Sequence, residues 1–200
     1  MKGQRSLALQ VWRTRARGFV RLYRMDDQRS IQAPVTSAPY DIKGLANLLL
    51  DWADAESITM TPMKLQKLLY FCHADYLRAM GKPLVRQDFE AWDYGPVEPS
   101  VFAEFKSSSK SPIKTRAMQF VPATGERVLA EPKVDDSDLK LLRSLYNIYK
   151  HASATALSDL SHETRGPWAV ARHLFNEGRN ADRRMSAKLI IRYHQRGPLS

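Results

Sequence analysis

The sequence predicts a mainly α fold: a single compact helical domain with a minor β element, behind a basic N-terminal extension. Three observations predict it. Apolar residues recur at i, i+3, i+4 and i+7 in several separate windows. Capping residues or prolines stand where those windows open, and glycines stand where two of them close. Only three short stretches, Phe89–Trp92, Met118–Val121 and Arg127–Leu129, read as strands. With 200 residues, 44% of them apolar and 26% charged, the chain can bury one core without disulfides or metal.

Residues 1–39 read as an arginine-rich extension and linker, closed by the proline-containing stretch from Ser30 to Pro39. The folded domain is expected over 40–196. Its first helix runs from Asp41, a capping residue, to Ala55, with Leu45, Leu48, Leu49 and Trp52 in one stripe. A second opens at Thr61 with Pro62 at the first helical position. It carries Leu65, Leu68, Leu69, Cys72, Tyr76 and Met80, and stops at Gly81. After the strand Phe89–Trp92, Tyr94-Gly95-Pro96 reads as a turn. A third helix follows from Pro99, with Val101, Phe102 and Phe105 on its buried side. The two remaining strands flank Thr124-Gly125. Ser137 and Ser153 are expected to cap two more helices, Pro167 opens another that ends at Gly178, and residues 186–194 form the last.

The formal net charge of +10 is unevenly spread. Residues 1–30 hold eight basic residues and two acids, a net of +6, and the remaining 170 hold +4. Arg13, Arg15, Arg17 and Arg21 could form an arm on a phosphate backbone, making the chain a nucleic-acid-binding regulator. The same segment also reads as an amphipathic surface helix, or as an extension ahead of a start at Met25. The arginines rule out a secretory core region. No apolar run approaches the roughly 18 residues of a membrane span. One cysteine, Cys72, suits a reducing, cytoplasmic setting and excludes an intrachain disulfide.

Catalytic motifs are missing: there is no phosphate-cradling glycine loop, paired-histidine metal helix or nucleophile elbow, and no cofactor is expected. Cys72 and His73 are adjacent on a helix and point about 100° apart, so Cys72 reads as a small core residue. His162 with Glu163 could be an acid–base pair, but a histidine at a helix end more often serves the unpaired carbonyls there. Lys64 and Lys67, with His73 and Arg78, read as a basic helical face, either solvated or meeting an acidic partner. Trp92, Asp93 and Tyr94 read as interface anchors or as plain core.

Three segments together resemble the Panacea domain of the SocA-like antitoxins. The helix Thr61-Pro62-Met63-Lys64-Leu65-Gln66-Lys67-Leu68-Leu69-Tyr70 is close to the family's TPLKLQKLLY, with Met63 in place of leucine. Gly81-Lys82-Pro83-Leu84, Phe89 to Val97 and Pro99-Ser100 resemble its GKPL…FEAWxYGPVxPS pattern. Leu157 to His162 with Pro167-Trp168 is similar to LSxLSH…PW. The resemblance covers roughly residues 40–195. It implies a non-enzymatic antitoxin, in a family that includes phage-associated members, whose partner is a protein toxin encoded by a neighbouring gene. A SocA-like member acts as an adaptor that delivers its toxin to a ClpXP-type protease, so the resemblance leaves an adaptor role open here. No catalytic residues come with the resemblance. Lys64, Lys67, Trp92, Tyr94, His162 and Trp168 occupy its recurring positions, as scaffold or as toxin-binding surface.

Overall fold

Several helices of the domain begin where a capping side chain satisfies one of the first amide groups. In the computed structural model, which describes residues 38–194, α1 spans Ile42–Ala55, and the Asp41 carboxylate accepts from the Lys43 amide. Helix α2, Pro62–Met80, starts behind Thr61, whose hydroxyl accepts from Lys64, and stops at Gly81 in the left-handed region, φ 71°. The strands β1, Phe89–Trp92, and β2, Gly95–Val97, form a hairpin that leads into α3, Pro99–Phe105, capped by the Glu98 side chain. A second hairpin, β3 (Met118–Val121) and β4 (Glu126–Leu129), precedes α4 (Asp136–Tyr149), α5 (Ala154–Ser161) and α6 (Pro167–Asn176). The short strand β5, Arg184–Met185, and α7, Ala187–His194, complete the described residues. The expected class, mainly α with minor β, is the observed one. Arg13, Arg15, Arg17 and Arg21 lie outside the described residues.

Helix α2 is the axis of the domain. Helices α1, α3, α4, α5 and α7 and strand β2 all pack against it. Its expected apolar stripe is buried, with Met80 only partly so, and Cys72 lies within the core. The expected basic face on α2 does not exist. Lys67 and His73, two of its four members, are 1% and 3% exposed, because other elements cover that side of the helix too. The buried polar groups meet partners instead. Gln66 exchanges two hydrogen bonds with the main chain of Glu98, and His73 Nδ1 accepts from the Val85 amide at 3.4 Å. Asp75 accepts from Tyr149 at 2.5 Å and lies 2.9 Å from His194 Nε2, which ties α2 to α4 and α7. Burial works against the Asp75 carboxylate, but the hydrogen bond and charge of His194 hold its pKa below the usual carboxylate range. His73 is pushed down to about 4, by burial first and by the charge of His194 second.

Both sheets are antiparallel. The larger has the order β2-β1-β5, with Trp92 opposite Gly95 and Phe89 opposite Met185. Strand β5 escaped the sequence reading because two residues show no period. The expected turn at Tyr94-Gly95-Pro96 lies one step earlier, at Asp93-Tyr94, with Gly95 and Pro96 already paired in β2. The β3–β4 hairpin turns where expected and is held to α1 by Asn47. The Asn47 side chain accepts from the Ala117 amide at 2.7 Å and donates to Ala117 O and Ala130 O at 3.0 and 2.8 Å. Two smaller expectations also shift. Helix α4 begins at Asp136, so Ser137 lies inside it. Phe102 of α3 is 37% exposed, not buried.

Candidate functional site

The β1–β2 hairpin is fixed from two sides by residues distant in sequence. The indole N–H of Trp168, in the first turn of α6, donates to Trp92 O at 2.8 Å. Arg172, one turn on, pairs with Asp93 at 2.5 Å. From α5, the Ser158 hydroxyl donates to Tyr94 O at 2.9 Å. The His162 ring stands edge-on to Trp168, centroids 3.9 Å apart, and shares a hydrogen bond with the Asp93 main chain. His162 ends α5 as expected, with its backbone N–H meeting the carbonyls of Ser158 and Asp159, while its ring braces the hairpin. Burial, then the nearby Lys67 charge, pushes the imidazole pKa down. Trp168 is half-buried, with its polar edge spent on the hairpin.

Lys67 reaches the hairpin from α2 and donates to Pro96 O at 2.9 Å. Burial, with no compensating carboxylate among the described residues, brings its ammonium pKa down to about 7. Gly95, at φ 96°, permits this approach. A Cβ there would collide with Ser161 Oγ and stand 3.0 Å from Lys67 Nζ. Lys64 sits one turn earlier in α2, partly buried, and its pKa is lowered by that burial.

These contacts shape a groove of about 370 Å³ between the start of α2, the hairpin and α3. Pro62, Met63, Trp92, Val97 and Phe102 give it an apolar lining; Gln66, Lys67, Asp93 and Arg183 add polar groups. Trp92 packs edge-on against Phe102 at 4.9 Å while its indole N–H donates to Glu90 at 2.7 Å. Tyr94, 75% exposed, stands on the rim. Of the six positions singled out from sequence, Lys67, Trp92, Tyr94, His162 and Trp168 converge here, and Lys64 does not line the groove. Sequence reasoning missed Arg172, Arg183 and Phe102 as site residues. Arg172 and Arg183 lie outside any quoted motif, so only tertiary contact could find them.

Chemically, the groove suits non-covalent recognition. Cys72 lies in the core rather than the groove, and burial raises its thiol pKa. Among the described residues no His, Cys, Asp and Glu cluster could hold a metal ion. No helix among them is long and apolar enough to cross a membrane.

The model of the family described as "Antitoxin SocA-like, Panacea domain" matches residues 65–169. That range holds most of the groove and its supports. The chain belongs to the SocA-like Panacea-domain family. A relative named Antitoxin SocA, from Caulobacter vibrioides (strain NA1000 / CB15N), is 37% identical over 139 residues, covering 68% of this chain and 74% of that protein. No solved structure matches the chain. Lys67, Trp92, Tyr94, His162 and Trp168, recurring positions of the Panacea resemblance, are thus one spatial cluster around one hairpin. The motifs specify how that hairpin is held as well as what it displays.

Proposed function

We propose that this Panacea-domain chain is an antitoxin that neutralises a cognate protein toxin by direct, non-covalent binding, with the groove beside the β1–β2 hairpin as the recognition surface. One observation carries the reading. An apolar groove, flanked by an exposed tyrosine and a partly exposed phenylalanine, is held rigid by hydrogen bonds from three helices. Aromatic side chains in a preordered surface bind with little loss of conformational freedom, which is why they dominate interface energetics. The groove would form the centre of a larger contact, since a stable protein interface buries about 1,600 Å² in total.

Co-expression with the product of the neighbouring gene tests this. That product is expected to stop growth alone, to be tolerated with this chain, and to co-purify with it. Tyr94→Ala should lose both protection and co-purification while remaining folded. A neighbour harmless on its own, or protection without a complex, would overturn the proposal.

A further inference from the structure

Among the described residues Lys67 is a cation without a counter-ion. Its ammonium carries three donors, yet its single hydrogen bond among the described residues goes to the neutral Pro96 carbonyl, and its exposure is 1%. A buried charge normally has an ionic partner, because desolvation is otherwise uncompensated. Methionine would fill such a site without that penalty. The groove it lines is electrostatically unbalanced in the same sense. Its remaining charged residues are Arg183, and Asp93, which is already paired with Arg172. In the same cluster His162 Nε2 is buried and has no partner.

We infer that the groove is a carboxylate-reading site: the bound toxin inserts an aspartate or glutamate side chain that pairs with Lys67 Nζ, while a neighbouring apolar residue packs between Trp92, Phe102 and Met63. The occupant is an acidic–apolar segment internal to the partner polypeptide. The inference rests on the antitoxin reading and adds the chemistry the groove selects. Pairing restores to Lys67 the charge that burial disfavours. Above pH 7 the free protein holds Lys67 increasingly as the neutral amine, so binding must draw a proton from solvent. The ionisable groups of the groove and its supports are Asp93 on the hairpin, His162 just past α5 with Asp159 acting on it, Arg172 on α6, Arg183 on the groove wall and Lys64 on α2 itself. Of these, His162 has its pKa lowered, by burial first and by the Lys67 charge second.

Calorimetry with the full chain and the neighbouring gene's product tests it, at pH 6 to 9 and in two buffers of different ionisation enthalpy. Affinity should be flat up to about pH 7 and then weaken by up to roughly tenfold per pH unit, with uptake approaching one proton per complex near pH 8. Lys67→Met should abolish both the slope and the uptake. Replacing each partner Asp or Glu by Asn or Gln, which leaves this chain untouched, should find one position with the same effect. Tight binding with no proton uptake, or a slope that survives Lys67→Met, overturns the inference. So does an effect seen only on extending the partner's C-terminus, which would make the source a terminal carboxylate. Absence of any complex instead sinks the antitoxin reading beneath it.

Discussion

Trp168 donates its indole N–H to the main-chain carbonyl of Trp92 across 76 residues of sequence, at 2.8 Å. The bond joins the first turn of α6 to the end of β1, and so fixes the position from which Trp92 and Tyr94 meet the groove. Trp168→Phe retains most of the apolar contact and removes the donor. The expected loss is about 1–2 kcal/mol, the cost of one broken hydrogen bond with a carbonyl left in partly dry surroundings. Urea unfolding checks this; an unchanged midpoint would show that the bond contributes nothing.

Gly95 is the narrowest point of the site. Gly95→Ala places a methyl group into Ser161 Oγ and against Lys67 at a positive φ, which an L side chain rarely adopts. We expect a loss of about 2 kcal/mol or more and a displaced hairpin. By contrast Gly125→Ala, also at positive φ but with open space around it, should cost only the backbone strain, about 1 kcal/mol. Equal losses in a denaturant titration would contradict the crowding argument.

Tyr94 separates recognition from stability. Its ring is 75% exposed, so Tyr94→Ala should change the unfolding free energy by no more than about 0.5 kcal/mol. If it anchors the toxin, the same change should weaken the complex by about 2 kcal/mol, roughly thirtyfold. A melting curve and a binding isotherm on one preparation decide the matter.

Burial of His73 gives the fold an acid limb. Its folded pKa of about 4 lies below the ordinary 6.5, so the unfolded chain binds the extra proton in between. Its contribution is therefore complete above pH 6.5 and falls progressively toward pH 4, a loss of roughly 3 kcal/mol. His73→Gln can keep an acceptor for the Val85 amide and should flatten that limb. A wild-type midpoint independent of pH between 6.5 and 4 would refute the assignment.

Lys67 acts in the same direction, over a higher pH range. Its folded pKa of about 7 lies below the ordinary 10.5, so above pH 7 the unfolded chain holds more protons than the folded one. Stability should rise from pH 7 to 8.5, with a slope of at most about 1.4 kcal/mol per unit, before thiol ionisation in the unfolded state opposes it. Lys67→Met should remove the rise. If the unfolding midpoint of the wild type stays level across this range, the ammonium is not desolvated as the structure has it.

Much of this was legible before any coordinates. Helix ends are marked locally: the Thr61 and Ser153 side chains meet an amide three residues on, Gly81 takes the left-handed conformation, and Pro62 and Pro167 stand at the first helical position. The Asp41–Ala55 helix, the strand at Phe89–Trp92 and the hairpin around Gly125 were read for the same reason. What failed was exposure. Lys67 and His73 lie on the polar side of a helical pattern, and nothing near them in sequence says that α3, α5, β2 and α7 will cover that side.

The sequence by itself determined the fold class, the long helices with most of their ends, and the family, since each depends on neighbours along the chain or on the order of motifs. Only the tertiary structure decided that Lys67, Trp92, Tyr94, His162 and Trp168 are one spatial cluster, and that among the described residues the lysine at its heart stands without a carboxylate. Burial and ion pairing are set by groups distant in sequence, and the energy of a charge depends on what surrounds it in space.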